Sequence, residues 1–154
     1  MASTTFRRAR PEDAQAIVEC QLALAEETEP FRLDREVVTR GVGRVFEQPG
    51  LGNYFVAERE GRVIGTTMTT FEWSDWRDAS IWWIQSVYVL PEHRNQGVWK
   101  GLYQLIKQLA LDDPGVCGLR LYVEKNNKRA QAAYEKLGMN GDHYGVFEWM
   151  KGAH

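Results

Sequence analysis

The spacing of apolar residues changes several times along the chain, and each change marks an element. TFRRA, residues 5–9, predicts a short first strand. Ala14, Ile17, Val18, Leu22 and Ala25 then form one apolar stripe, which predicts an amphipathic helix over 10–27. Pro11 just inside its start, with Glu12 and Asp13 in the first turn, fits the fixed proline dihedral and the positive end of the helix dipole. A second helix is expected over 33–46, carrying Val37, Val38, Val42 and Val45. Gly41 and Gly43 weaken it, each by up to about 1 kcal/mol relative to alanine.

The period then shortens. NYFVAERE, a turn at Glu60 and Gly61, and RVIGTTMTTFEW predict two β-branched, aromatic strands in a hairpin. SDWRDAS breaks the pattern, and IWWIQSVYV, apolar at nearly every position, predicts a central strand covered on both faces. HRNQGVWKG follows at once. Val98, Leu102, Leu105, Ile106 and Leu109 restore helical spacing, DDPG ends that helix, and GLRLYVEK predicts another strand. NNKRAQAAYEKLG predicts a last helix with Ala130, Ala133, Tyr134 and Leu137 on one face and Gly138 as its cap. HYGVFEWMK alternates like a final strand. The order predicts a single α/β or α+β domain, 1–154, with a mixed sheet.

Composition narrows the setting. A length of 154 residues suits one domain with one core. A formal charge of -2 lacks the basic footprint of a general nucleic-acid binder, so no nucleic-acid partner is expected. Cys20 and Cys117 are too few for a disulfide framework and form no CxxC pair, so both are expected to be small core residues. The N-terminus lacks the apolar core of a signal peptide, and no apolar run approaches the roughly 20 residues that span a bilayer. A soluble, cytoplasmic protein is expected.

Candidate chemistry begins at HRNQGVWKG. Ligands of open α/β sheets collect outside the carboxyl ends of central strands, where helix N-termini offer N–H groups to anions. Arg94 and Lys100 flank Gly97, whose missing side chain would let a phosphate approach the backbone. The segment is neither GxxxxGK[ST] nor GxGxxG, and as a lone loop it reads as readily as a strand-to-helix turn.

A second segment makes the reading sharper. With SVYVLPEHRNQGVWKGL upstream and NKRAQAAYEKLGM downstream, the chain resembles the GNAT superfamily of acetyl-CoA-dependent N-acetyltransferases. That family's pattern is a strand, then R/Q-x-x-G-x-G/A opening a helix, then N-x-x-A-x-x-x-Y and a glycine. Arg94, Gly97, Asn127, Ala130, Tyr134 and Gly138 occupy the matching positions, and the strong resemblance covers roughly 81–150. It implies a mixed, mostly antiparallel twisted sheet of about six to seven strands flanked by about four helices. The last G/A of the first motif is Trp99 here. Either its indole packs into the helix base and the loop binds nothing, or its backbone N–H still donates while the indole points away.

The resemblance also implies roles. The strand end Val87, Tyr88 and Val89 would pair with the pantetheine arm of acetyl-CoA, and the Val87 N–H would stabilise the developing oxyanion. The amides of Asn95, Gln96, Gly97, Val98, Trp99 and Lys100 would cradle the pyrophosphate beside Arg94. Asn127 would contact the cofactor arm, and Tyr134 would protonate the leaving thiolate as general acid. No metal is implied. The acceptor ammonium must lose a proton, and Gln85 stands where many relatives carry a glutamate; an amide cannot take that proton. Glu26, Glu27, Glu29, Glu72, Asp75 and His143 remain open as the base, as does ordered water.

The AEETE run and FEWSDW would suit an acidic, aromatic-walled site for a small cation. FEWSDWRDAS and IWWIQSVYVLPEHR loosely resemble the spermidine/spermine N-acetyltransferase branch, with Glu29, Trp76 and Gln85 on the acceptor side. Trp73, Trp76, Trp82 and Trp83 fit core or a homodimer face equally. The expected activity is acetyl transfer to a primary amine of a polyamine, amino acid or amine metabolite. A protein N-terminus or lysine as acceptor, or an acyl-CoA-binding sensor without turnover, are the alternatives.

Overall fold

The structure, a computed structural model, describes residues 2–29 and 32–152. The chain divides into two compact units, residues 1–121 and 122–154.

The first unit is built on a five-stranded sheet in the order β1-β2-β3-β4-β5. The strands are β1 (Thr5–Arg8), β2 (Asn53–Arg59), β3 (Arg62–Ser74), β4 (Ala79–Val89) and β5 (Val116–Leu121). The first four pair antiparallel, and β5 lies parallel to β4. That parallel pairing needs a crossover, supplied by helix α3 (Val98–Asp112). Helices α1 (Ala14–Thr28) and α2 (Arg35–Glu47) intervene between β1 and β2.

Strand alternation divides the core between the two faces of the sheet. Tyr54 and Val56 of β2 pack with Ile17 and Val18 of α1 and Val42 of α2. Phe55 and Ala57 point the opposite way and are also fully buried. On that second face Phe6 lies against Gly101 of α3, and Gly65 lies against Val98. β4 is therefore covered on both sides, as its continuous apolar run predicts, with Ile81, Trp82 and Ile84 all buried.

Local chemistry explains the boundaries. Glu60 and Gly61, with φ of 52° and 74°, make the two-residue turn between β2 and β3, a pair of left-handed residues that matches hairpin twist. Pro11–Asp13 form a single 3₁₀ turn ahead of α1, pinned where the Asp13 carboxylate accepts from the Arg10 N–H at 2.7 Å and from Arg7 at 2.8 and 3.1 Å. α2 forms despite its two glycines. Asp34 caps it, accepting from the Glu36 and Val37 amides at 2.9 and 3.4 Å, and Val42 buries its apolar stripe.

The second unit contains α4 (Lys128–Lys136). Asn127 Oδ1 accepts the Ala130 N–H at 3.0 Å as the helix cap, and Gly138 ends the helix with φ of 90°. HYGVFEWMK is not a strand: among the described residues 143–150 form no ladder, and Phe147 and Trp149 are exposed. Alternation fixes which side chains share a face, but a strand exists only when its N–H and C=O groups find a partner. Among the described residues the sheet accordingly has five strands rather than six or seven, and the helices number four. One further expectation fails: Cys20 is buried, but Cys117, near the start of the edge strand β5, is exposed.

Candidate cofactor and active site

The end of β4 is where the sheet opens. The β4–β5 ladder closes with Ile84 opposite Leu121, while β4 continues to Val89 along β3 alone. Between Gln85 and Tyr88 the register slips against Thr66 and Met68, so Ser86 and Val87 together oppose Thr67. Ser86 takes a left-handed φ of 56° at this bulge, and Thr67 Oγ1 donates to the Gln85 carbonyl at 2.9 Å. The bulge re-aims Val87 and the strand end that follows.

A cavity of about 510 Å³ lies against that strand end, within the first unit. Its walls are the C-terminal end of α1 (Leu24, Glu27, Thr28), the β4 residues Val87, Tyr88 and Val89, and the loop leading into α3. From the loop come His93, Arg94, Asn95 and Gly97, and from the helix Val98, Trp99 and Lys100. Of the cofactor positions expected from the motif, all those between 87 and 100 line this cavity except Gln96.

The loop is shaped to present amides. Asn95 and Gly97 are both left-handed, with φ of 64° and 79°, and such turns aim successive N–H groups inward as an anion-binding concavity. A Cβ at Gly97 would meet nothing within 4 Å, so the space above its backbone is open to a ligand. The first amides of α3 have no intrahelical acceptor, and the Gly101 N–H to Gly97 carbonyl bond at 3.0 Å closes the first turn. Gly101 itself serves packing: a Cβ there would land inside the Phe6 ring. Trp99 is half-buried, lies 5.9 Å from the Tyr103 ring, and lines the cavity without displacing the helix start.

Residues that sequence reasoning overlooked hold this loop from behind. Arg59, the last residue of β2, donates to Gln96 Oε1 at 2.8 Å and to Thr4 Oγ1 at 2.8 and 3.0 Å, with His93 Nδ1 at 3.4 Å. Arg62 pairs with Glu92 at 3.4 Å. Both arginines read in sequence as ordinary strand-end charges, and only the hairpin brings them to the loop. Arg94 has several partners. Its Nε donates to the Val89 carbonyl at 2.9 Å, its Nη2 sits 3.1 Å from both oxygens of Glu27, and its guanidinium lies 5.3 Å from the Tyr88 ring centre. Burial first, then the hydrogen bond and charge of Glu27, raise the Tyr88 hydroxyl above its ordinary value.

The candidate bases are scattered. Glu27 is engaged by Arg94. Glu72 accepts from Trp83 Nε1 at 2.7 Å and Arg120 at 2.8 Å, and these bonds, the Trp83 one foremost, hold its carboxyl below the usual range. Glu26, Glu29, Asp75 and His143 are exposed. Gln85 donates to Thr70 Oγ1 at 3.2 Å. Trp76 is 89% exposed and Trp73 62%, whereas Trp82 is buried, and Trp73, Asp75 and Trp76 do not line the cavity at the end of β4.

Asn127 and Tyr134 belong to the second unit. The Asn127 carbonyl oxygen is committed to capping α4. Tyr134 is half-buried, and burial raises its hydroxyl above the ordinary tyrosine value, so it stays protonated through neutral pH.

A bulged central strand that parts from its parallel neighbour beside an amide-lined helix start defines the class: the chain belongs to the acetyltransferase (GNAT) family, which it matches over residues 15–139. Among individual proteins, it is similar to the thialysine N-epsilon-acetyltransferase of Bos taurus, 37% identical over 76 residues that make up 49% of this chain and 44% of that protein. The similarity to the Mus musculus protein of the same name is 27% over 153 residues, 90% of this chain and 85% of that one. The match thus spans under half the length of the bovine relative. Among solved structures, "a possible acetyltransferase from Clostridium difficile 630" superposes with a TM-score of 0.90 at 39% identity, covering 97% of this chain and 99% of that one.

Proposed function

We propose that the protein is an N-acetyltransferase that moves the acetyl group of acetyl-CoA to a primary amine on a small molecule. The observation that carries this reading is the open edge of β4 at Val87–Val89, set in one cavity with the left-handed Asn95–Gly97 turn and the start of α3. An extended amide-bearing arm can add to such an edge as a further strand would. A diphosphate fits the amides of the turn and helix start, where positive dipole ends and the Arg94 and Lys100 side chains favour anions. The residues present therefore fit the cofactor.

Acetyl-CoA would supply an activated thioester. The residues of this chain would do the rest. The Val87 N–H, re-aimed by the bulge, is the donor suited to the carbonyl oxygen as charge develops on it. Tyr134, held protonated by burial, suits delivery of a proton to the departing thiolate. Glu27 and Glu72 are each already paired with an arginine and Gln85 is an amide, so we assign the acceptor's proton to solvent water rather than to one of these side chains.

The relatives' name points to an acceptor with an amine at the end of an amino-acid side chain, and exposed Glu26 and Glu29 near the end of α1 are suited to draw in such cations. The test is thiol release from acetyl-CoA with a panel of thialysine, lysine, diamines and polyamines, alongside calorimetry with acetyl-CoA alone. Turnover with at least one amine is expected. Cofactor binding with no amine raising thiol release above background would replace the enzyme with an acyl-CoA-binding sensor.

A further inference from the structure

Resting on the cofactor reading above, we infer that Glu27 is an affinity-setting residue: its carboxylate competes with the cofactor's diphosphate for Arg94. The diphosphate would approach the amides of the Asn95–Gly97 turn, and Arg94, immediately before that turn, is one of the cavity's lining residues. Yet its Nη2 already lies 3.1 Å from each Glu27 oxygen, and Glu27, from the last turn of α1, lines the same cavity. A fixed negative charge thus stands inside a site built for anions.

The pair is also oriented. Arg94 Nε is anchored on the Val89 carbonyl at 2.9 Å, and the guanidinium lies 5.3 Å from the Tyr88 ring centre, so the pivot stays put while the Nη2 end exchanges partners. Both side chains are about two-fifths exposed, 42% for Arg94 and 40% for Glu27, so the exchange needs no unfolding of α1 and each partner can be re-solvated. A phosphate oxygen that takes the Nη2 position releases Glu27; Glu27 recaptures Arg94 when the spent cofactor leaves. The consequence is a site that holds CoA less tightly than its amides and cations alone would, which favours product release over retention.

The experiment is calorimetric titration with CoA, and separately with pantetheine, which lacks the diphosphate. Wild type, Glu27→Gln, Arg94→Ala and the double variant are compared, each checked for an unchanged thermal transition. The glutamine side chain keeps the shape and can still accept from Arg94 but carries no charge. Glu27→Gln is expected to tighten CoA about fivefold, the scale of one partly exposed ion pair. The gain should vanish in the Arg94→Ala background, and pantetheine should bind wild type and Glu27→Gln alike. Equal or weaker CoA binding by Glu27→Gln, or a gain that survives loss of Arg94 or appears with pantetheine, overturns the inference. A wild-type protein that binds no CoA at all overturns the cofactor reading itself.

Discussion

The Arg59 guanidinium, at the end of β2, donates to Gln96 Oε1 at 2.8 Å across 37 residues of sequence. The same group spans to Thr4 Oγ1, so one side chain ties the chain start, the β2–β3 hairpin and the loop before α3 together. The loop that carries the left-handed Asn95 and Gly97 is thereby linked to the end of β2.

Arg59→Ala should therefore weaken cofactor use more than catalysis. A charge-assisted hydrogen bond is worth about 1.5–3 kcal/mol, so a rise in KM for acetyl-CoA of about tenfold is expected, with kcat changed much less. Steady-state kinetics measures both. An unchanged KM would show that the loop holds its shape without Arg59.

Tyr134→Phe removes the hydroxyl and little else. Loss of a positioned general acid lowers kcat by about 10²-fold or more, while cofactor affinity by calorimetry should stay the same. Burial raises this hydroxyl, and the proposed acid role needs the protonated form, so its deprotonation is expected to cut the rate only as pH rises above about 10. A wild-type rate in the Phe variant would remove Tyr134 from the acid role.

Gly101→Ala tests packing rather than chemistry. Alanine is the better helix former by up to about 1 kcal/mol, but its Cβ would land inside the Phe6 ring. Overpacking of this kind costs about 1–3 kcal/mol, so net destabilisation in urea is expected, partly restored by Phe6→Leu in the double variant. A stabilised Gly101→Ala protein would mean that β1 yields freely.

Asp13 is expected to contribute to the acid limb of stability. The Arg7 hydrogen bond, opposed by burial and helped by the Arg10 amide, holds its carboxyl below the usual range. Its contribution is thus full above the ordinary value of about 3.9 and is lost as pH falls through the lower folded value. Asp13→Asn should cost about 2 kcal/mol at neutral pH and flatten the stability loss below pH ~4, seen in denaturant titrations at several pH values. Parallel acid slopes for the two proteins would place the acid sensitivity elsewhere.

Much of this architecture could be read from residue order. The periodicities at Ala14–Ala25 and Val98–Leu109, the Glu60–Gly61 turn, the cap at Gly138, and the unbroken apolar run of β4 are local properties. They depend on backbone dihedrals and on which side chains share a face. The spacing of Arg94 and Gly97 ahead of α3 is local in the same sense, but by itself it fits a plain strand-to-helix turn as well as an anion site. The resemblance to the family rested on that motif joined to Asn127 and Tyr134, and the match over residues 15–139 established membership.

What tertiary structure alone decided are the pairings between distant residues. HYGVFEWMK has strand alternation but no ladder, because pairing is a property of two segments and alternation of one. Nothing near Arg59, Arg62 or Glu27 marks them as neighbours of the loop before α3; the hairpin and the end of α1 bring them there. Trp99 gave two readings in sequence, and its contacts set the indole along α3 beside Tyr103; the glycine at Gly101 makes room for Phe6, a neighbour that no local pattern names. Local dihedral preference and side-chain period are written in neighbouring residues, whereas charge pairing and close approach depend on distances that exist only once the helices have packed onto the sheet.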